Sequence, residues 1–209
     1  MGTQTTFSTI KNSFLNSPFL IIYLTIIVIV GFSSIQSDET IFFLASESSP
    51  IQSLSAIGYF AAFAMAIFLH VKGQISFGPG AAIIFLSMGL REMDFHDRFT
   101  TMGIMKTRFY ISDAVPLAEK IPAAIIMLSL GYIITVFLIK HFRPFLIALR
   151  ATNKAALLTL NGIAFTVISK LIDSQPHLLF CITEETIELA IPCFFILSLL
   201  LCNKTEKTI

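Results

Sequence analysis

The sequence is short of charge: only 13% of its 209 residues are Asp, Glu, Lys or Arg, whereas soluble domains carry about a quarter. Hydrophobic residues make up 55% of the chain and its mean hydropathy is +0.83, which excludes a soluble globular protein and a disordered chain. The net charge of +1 offers no basic field to a nucleic acid. The three cysteines lack pair spacing, which excludes a disulfide framework and a Cys-based zinc site. What remains is a polytopic membrane protein.

Six segments are interpreted as membrane spans, because about 20 apolar residues are needed to cross about 30 Å of hydrocarbon. They lie at about residues 18–35, 54–71, 77–96, 121–140, 154–172 and 183–202. No internal repeat, low-complexity stretch or linker divides the chain, so residues 1–209 are predicted to form a single integral membrane domain. The predicted fold class is all-α, a polytopic membrane helix bundle with about six transmembrane helices.

The distribution of charge predicts the orientation of this bundle. The first apolar run is too long for a signal-peptide core and is followed by no cleavage site, so it is interpreted as an uncleaved anchor. Six spans place both termini on one side, together with eight of the 14 cations, and the positive-inside rule makes that side cytoplasmic. Only Glu206 of the 13 acidic residues falls there. The other twelve are expected on or near the outer face.

Segment length places some of these acids inside the membrane. After Glu188 only fourteen apolar residues remain in the sixth segment, about 21 Å of helix, which is less than the bilayer core. The third segment has thirteen residues before Arg91, and the fifth includes Lys170 in its apolar stretch. Three helices therefore carry ionisable groups at a similar depth, where an unpaired charge costs roughly 2.5–3.5 kcal/mol. We expect these groups to face each other or a wet cavity.

Residue spacing supports convergence within each helix. Glu92 and His96 are four residues apart, as are Glu184 and Glu188, so each pair shares a helix face if the helix is continuous. Six potential negative charges stand against the two positive charges of Arg91 and Lys170. The acids are Glu92, Asp94, Asp173, Glu184, Glu185 and Glu188. Either several carboxyl groups are protonated or a cation is bound.

Each of these features also has a structural interpretation. Thr183 could cap the sixth helix, with Glu184 and Glu185 in its first turn, where acids favour the helix dipole. The charges of residues 91–98 could belong to a solvated helix end. Lys170 could extend its side chain to the membrane interface.

The strings REMDFHDRFT, SKLID and EETIELAIP resemble segments of a family of small, uncharacterised bacterial inner-membrane proteins. The likeness spans the third, fifth and sixth segments, roughly half of the chain, and it implies a multi-pass location in the bacterial inner membrane. The chain also resembles, loosely, metal-dependent membrane hydrolases of the alkaline ceramidase type. Their histidine-rich pattern and HxxxH segment are absent here, which argues against a zinc–histidine mechanism.

The leading functional hypothesis is a metal-dependent enzyme acting on a lipid or lipid-linked substrate. Carboxylates with histidine suit a divalent cation, which would activate water or polarise an ester or phosphoryl oxygen. The assigned metal ligands are Glu92, His96, Glu184 and Glu188, with His177 as a further candidate. The assigned catalytic residues are Glu185 or Asp173 as general base, and Arg91 and Lys170 for an anionic head group. The expected partners are membrane lipids and not nucleic acid.

Two other functions fit the same residues. A cation or proton transporter would use the acids to load and release ions, with Asn161, Thr159 and Thr135 as the only polar groups available toward the cytoplasm. An accessory subunit would use them to pair internally or to contact a partner chain. The sequence gives neither the metal, nor the substrate, nor the oligomeric state.

Overall fold

The computed structural model describes residues 18–33, 35–37, 39–40, 49–172 and 178–205. Its regular elements are α-helices, and the described residues include no strand, which confirms the all-α class. The helices are α1 (Pro18–Ser33), α2 (Pro50–Val71), α3 (Gly78–Glu92), α4 (Phe95–Arg98), α5 (Thr107–Ile111), α6 (Leu117–Arg150), α7 (Lys154–Ile172) and α8 (Leu178–Thr205).

Among the described residues, four helices are long and apolar enough to cross a membrane: α2, α6, α7 and the Phe180–Cys202 part of α8. The prediction of helices that could span a membrane is confirmed for these four by their length and composition. Helices α1 and α3 have 16 and 15 residues, or about 24 and 22 Å of helix, less than the hydrocarbon thickness. Their crossing of the membrane, and the cytoplasmic placement of the termini, stay predictions.

Local sequence signals set the ends of α2 and α3. Ser49 caps α2 by accepting a hydrogen bond from the backbone N–H of Gln52, with Pro50 in the first turn. Helix α3 ends at Glu92, and Asp94 has a left-handed conformation (φ 51°) that separates it from the short α4. The prediction of one helix through residues 91–96 is wrong, so the four-residue spacing of Glu92 and His96 does not place them on one face.

The bounds of α6 and α8 also differ from the prediction. Helix α6 continues ten residues past the predicted span to Arg150, so most of the predicted basic connection is helical. Helix α8 begins at Leu178, five residues before Thr183, and has no acid in its first turn. The interpretation of Thr183 as a cap, with Glu184 and Glu185 in the first turn of the helix, is therefore wrong.

Helix α8 is the centre of the fold and packs against α7, α2 and α1, while α3 packs against α2. Close approaches make this possible: a Cβ added at Gly58 would lie 2.8 Å from Cγ of Pro192 in α8. A Cβ at Gly162 of α7 would meet the ring of Phe195 at 3.0 Å. Aromatic and aliphatic side chains fill the remaining space, including the fully buried Phe194. We refer to α1, α2, α3, α7 and α8 as the central bundle.

Helix α6 lies at the edge of the central bundle, and Ala123 is its one buried residue. It meets α3 where Phe137 faces Gly80 and where the rings of His141 and Phe77 lie 6.0 Å apart. Its beginning is covered by the α3–α6 connection (residues 93–116), whose Phe109 and Val115 form a small core with Ala123.

Candidate functional site

Five charged residues from three helices meet at one end of the central bundle. Arg91 and Glu92 end α3, Lys170 lies in the last turn of α7, and Glu184 and Glu188 lie one turn apart on α8. Nη2 of Arg91 lies 2.6 Å from Oε1 of Glu92, and Nζ of Lys170 lies 3.5 Å from Oε1 of Glu184. Both cations also reach Glu188, so the five residues form one ion-pair cluster.

Glu188 is the centre of this cluster. Its Oε1 is 3.3 Å from Nη2 of Arg91, 3.3 Å from Nζ of Lys170 and accepts a 2.8 Å hydrogen bond from the hydroxyl of Ser169. The residue is only 7% exposed, and a buried carboxylate requires this kind of pairing. Three donors therefore compensate a single oxygen atom.

The backbone of Glu188 is also specially supported. Pro192 has no N–H, so it cannot donate the usual helical hydrogen bond to the carbonyl of the residue four positions earlier, which is Glu188. The buried hydroxyl of Ser55 on α2 donates to that carbonyl at 3.1 Å instead. This bond ties α2 to α8 at the position that carries the central carboxylate.

The cluster is buried on its acidic side and accessible on its basic side. Glu92 is 5% exposed, and the fully buried Tyr59 of α2 lies within electrostatic range of Glu92 and Arg91. In contrast, the side chain of Arg91 is 29% exposed and that of Lys170 is 46% exposed. An anionic group approaching from outside the bundle would therefore meet these two cations first.

Glu185 stands next to the cluster on α8. Its Oε2 is buried and has no hydrogen-bond partner within the described ranges. A carboxyl oxygen in this position is costly unless it is protonated or meets a group from outside the chain. This oxygen distinguishes Glu185 from Glu188, whose Oε1 has three donors.

The polar region is closed on its inner side by apolar residues. The rings of Phe85 and Phe195 lie 5.2 Å apart, and Ile191 is buried beside them. The next hydroxyl group on α8 is that of Ser198, ten residues and about 15 Å beyond Glu188, where it lies 2.7 Å from the hydroxyl of Thr159. Among the described residues between these levels, Thr166 of α7 and Cys193 of α8 donate only to carbonyl groups of their own helices.

The other groups predicted along an inward path are used locally. Asn161 accepts a hydrogen bond from Tyr23 and donates to the carbonyl of Leu157. Thr135 donates to the carbonyl of Gly131 within α6. Each is satisfied by a neighbouring helix or by its own helix, which gives no continuous path.

The structure brings together five of the predicted site residues: Arg91, Glu92, Lys170, Glu184 and Glu188. His96 lies on α4, after the break at Asp94, and its side chain lies outside the description. Asp173 and His177 fall outside the described residues. Across the described ranges, no group of three or more His, Cys, Asp or Glu has an arrangement that could hold a metal ion.

Sequence reasoning missed the hydroxyl groups and the proline that support the cluster. Ser55 and Ser169 carry no motif, and a serine within an apolar helix usually bonds to its own backbone. The proline four residues after Glu188 is the one signal that could have indicated a free carbonyl there. The helix that would satisfy that carbonyl could not be identified without the packing of α2 on α8.

Comparisons with known protein families, with characterised proteins and with solved structures give no match. The resemblance to small bacterial inner-membrane proteins therefore stays a prediction. The fold and the site themselves define the class: an all-helical membrane protein with a buried ion-pair cluster at one end of its central bundle.

Proposed function

We propose that this protein is a membrane enzyme that acts on a lipid or lipid-linked substrate, with its head group bound at the ion-pair cluster. One observation carries the proposal: the central carboxylate of Glu188 is held by two cations that are themselves partly exposed. The cluster thus combines buried carboxylates with two solvent-accessible cations, Arg91 and Lys170. That combination suits a site for an amphiphile with an anionic head group.

The energetic cost of the cluster supports a functional role. Buried ion pairs are weak evidence for stability, because well-packed apolar residues of similar volume often serve equally well. Here Glu92 and Glu188 are almost completely buried, and neither Ser169 nor Ser55 would be needed in an apolar interface. Ionisable residues inside membrane helices are functional candidates by default.

In this proposal, Arg91 and Lys170 bind the anionic head group of the substrate. A phosphate or carboxylate head group at Arg91 and Lys170 would compete with Glu188 for both of them. Once these cations turn toward the head group, Glu188 loses two of its three donors. A divalent cation could then bind the freed carboxylates, so metal binding, if the reaction uses it, is expected to depend on the head group.

Glu185 supplies the proton transfer in this proposal. Its buried oxygen accepts a proton from the attacking water, whose oxygen bonds to the ester carbon or to phosphorus. The bond to the leaving alcohol breaks, and the same proton passes to the alcohol oxygen. One water is consumed for each ester cleaved, so the step needs no further reactant.

The test uses the purified full-length protein in nanodiscs made from a total lipid extract, with and without added Mg²⁺ or Mn²⁺. Mass spectrometry follows every lipid class over time. We expect the wild type to convert one class, and Glu185→Gln to reduce that rate by about 10²-fold or more. Glu119→Gln is the matched control, since Glu119 binds the backbone of Thr101 in the α3–α6 connection and not the cluster.

The proposal is wrong if the wild type leaves every lipid class unchanged under both metal conditions. It is equally wrong if Glu185→Gln and Glu119→Gln have the same activity. Ion flux measured in parallel in sealed proteoliposomes distinguishes transport. If the wild type carries a proton or cation current and Glu188→Gln abolishes it, the protein is a transporter and not an enzyme.

A second candidate function is that of an accessory subunit, and α6 is the observation that favours it. In this helix of 34 residues only Ala123 is fully buried, and many large apolar side chains, such as Leu128, Tyr132 and Ile139, are exposed. Affinity purification under mild detergent tests this candidate. A stoichiometric membrane partner that is lost when Leu128 and Tyr132 on the exposed face are changed to Gln would support it.

A further inference from the structure

We propose that the last third of α6, from Lys140 to Arg150, is a docking surface for the anionic head groups of membrane lipids. We call this stretch the basic segment. It lies at the end of the molecule opposite the ion-pair cluster and is independent of the proposed enzymatic function. The inference rests on its positive charge, on the exposed apolar side chains beside its cations and on its course across the end of the bundle.

The described charged residues at this end of the molecule are all basic. Lys140, Arg143 and Arg150 are exposed, and Lys154 follows at the start of α7. None of these four forms an ion pair with another described residue. By the course of the helices, the described carboxylates lie toward the opposite end, in α8, at the end of α3 and in the connections there. Within the described ranges, the four cations therefore lack a counter-charge.

The basic segment carries its cations on one side. At about 100° per residue, Lys140, Arg143 and Arg150 fall within about 80° of one another around the helix axis. Exposed apolar side chains lie among and beside them: Ile147 falls within the same arc, and Phe142 lies on a neighbouring side. Cations beside exposed apolar side chains on a helix are typical of an element that lies at a membrane surface.

The course of α6 supports this position. His141 contacts Phe77 at the start of α3, and Arg150 lies just before Lys154 at the start of α7. Both of those helices begin at the same end of the central bundle, so the basic segment runs between two points on that end. Pro144 cannot bond to the carbonyl of Lys140, which permits a bend where the helix leaves the apolar span.

The ligand chemistry follows from these features. Guanidinium and ammonium groups above a bilayer bind lipid phosphates by charge-assisted hydrogen bonds, and each cation near an anionic surface contributes about a fivefold factor in binding. The neighbouring apolar side chains would enter the acyl-chain boundary. A free phosphate ion would use only the cations, so the occupant we propose is an anionic phospholipid.

Spin-labelled lipids test the proposal on the full-length protein in phosphatidylcholine bilayers. We expect spin-labelled phosphatidylglycerol to associate several times more strongly than spin-labelled phosphatidylcholine, and 0.5 M NaCl to weaken this preference. The triple variant Lys140→Gln, Arg143→Gln, Arg150→Gln should lose most of it. The double variant Arg143→Lys, Arg150→Lys keeps the charge and should retain the preference.

The matched control is Arg98→Gln, Lys106→Gln, Arg108→Gln, which removes three exposed cations from the region around the α3–α6 connection. It should leave the preference unchanged. The proposal is overturned if the wild type shows no preference for phosphatidylglycerol, or if the two triple variants behave alike. If the first triple variant does not reconstitute, Arg143→Gln and Arg150→Gln are measured singly. Wild-type preference in both would also overturn the proposal.

Discussion

The central bundle and α6 are built in different ways. In the central bundle, α8 is surrounded by α7, α2 and α1, and its residues are buried by other helices of the same chain. Helix α6 is longer than any helix of that bundle, yet it contacts the rest of the chain mainly near Phe137 and His141 and at its covered beginning. The two regions therefore rely on different environments.

This difference shows that packing between helices defines the central bundle, whereas α6 depends on what surrounds the chain. Within a membrane, helices associate through van der Waals packing and hydrogen bonds, since lipid is as apolar as the side chains. The central bundle uses both, in its close glycine contacts and in its ion-pair cluster. Helix α6 uses little of either, so its stability should depend on local helix formation. Paired substitutions in the two regions test this contrast.

The largest effect is expected from Phe194→Ala. Phe194 is fully buried between α1, α7 and α8, where its ring contacts those of Tyr23 and Phe165. Truncation should lower the free energy of unfolding by about 3–5 kcal/mol. In α6, Leu128 is 74% exposed, and Leu128→Ala should stay within about 0.5 kcal/mol of the wild type. Titration with SDS in mixed micelles measures both values, and equal losses would contradict the contrast.

Removing the shared cation of the cluster should have the next largest effect. Arg91→Met leaves Glu92 and Glu188 without their common partner. We expect a loss of about 2–3 kcal/mol, less than for a completely buried pair because Arg91 is partly exposed. Arg108→Met, at an exposed position of α5, is the control and should change little. Adding Glu188→Gln to Arg91→Met should recover part of the loss, and simple additivity would show that the two residues are not coupled.

Two glycine substitutions should differ in sign. In Gly58→Ala the new methyl group meets the rigid ring of Pro192 at 2.8 Å, so α2 and α8 must separate. This should cost about 1–3 kcal/mol of unfolding free energy. No atom lies within 4 Å of the corresponding position in Gly131 of α6, where alanine should stabilise the helix by up to about 1 kcal/mol. A loss in both variants would mean that α6 is packed as tightly as the central bundle.

Hydropathy predicted where membrane helices occur better than where they end. It located α2, α6, α7 and α8, because a long apolar stretch has few alternatives in a protein of this composition. It missed the last ten residues of α6, since a helix can continue outside the hydrocarbon with charged residues. It also missed the break at Asp94, where one residue in a left-handed conformation decides between one helix and two.

The sequence predicted which residues form the candidate site, but it did not predict which of them contact each other. The cost of burying charge indicated that Arg91, Lys170 and Glu188 should meet, since they stand on apolar helices near the same end. Which cation reaches which acid depends on how α3 and α7 are rotated about α8, and the sequence does not state this. The same holds for Ser55, whose bond to Glu188 exists only because α2 crosses α8 there. The catalytic and metal-binding roles of these residues stay predictions.

The last comparison concerns a small loss of stability that should be confined to one end of α6. Glu119, near the start of α6, accepts hydrogen bonds from the backbone N–H and the hydroxyl of Thr101 at 2.8 and 2.9 Å. Glu119→Ala should cost about 1 kcal/mol or less, because the contact is exposed to solvent.

Since α6 meets the central bundle far from Glu119, the loss should be confined to the α3–α6 connection. Hydrogen exchange followed by mass spectrometry should show faster exchange in residues 99–116 and unchanged exchange in α2 and α8. Glu119→Gln keeps one acceptor oxygen for Thr101 and should show a smaller change in the same peptides. Faster exchange in α8 would mean that the connection and the central bundle open together. The connection and α6 would then belong to one cooperative unit with the ion-pair cluster, and access to Arg91 and Lys170 would depend on them.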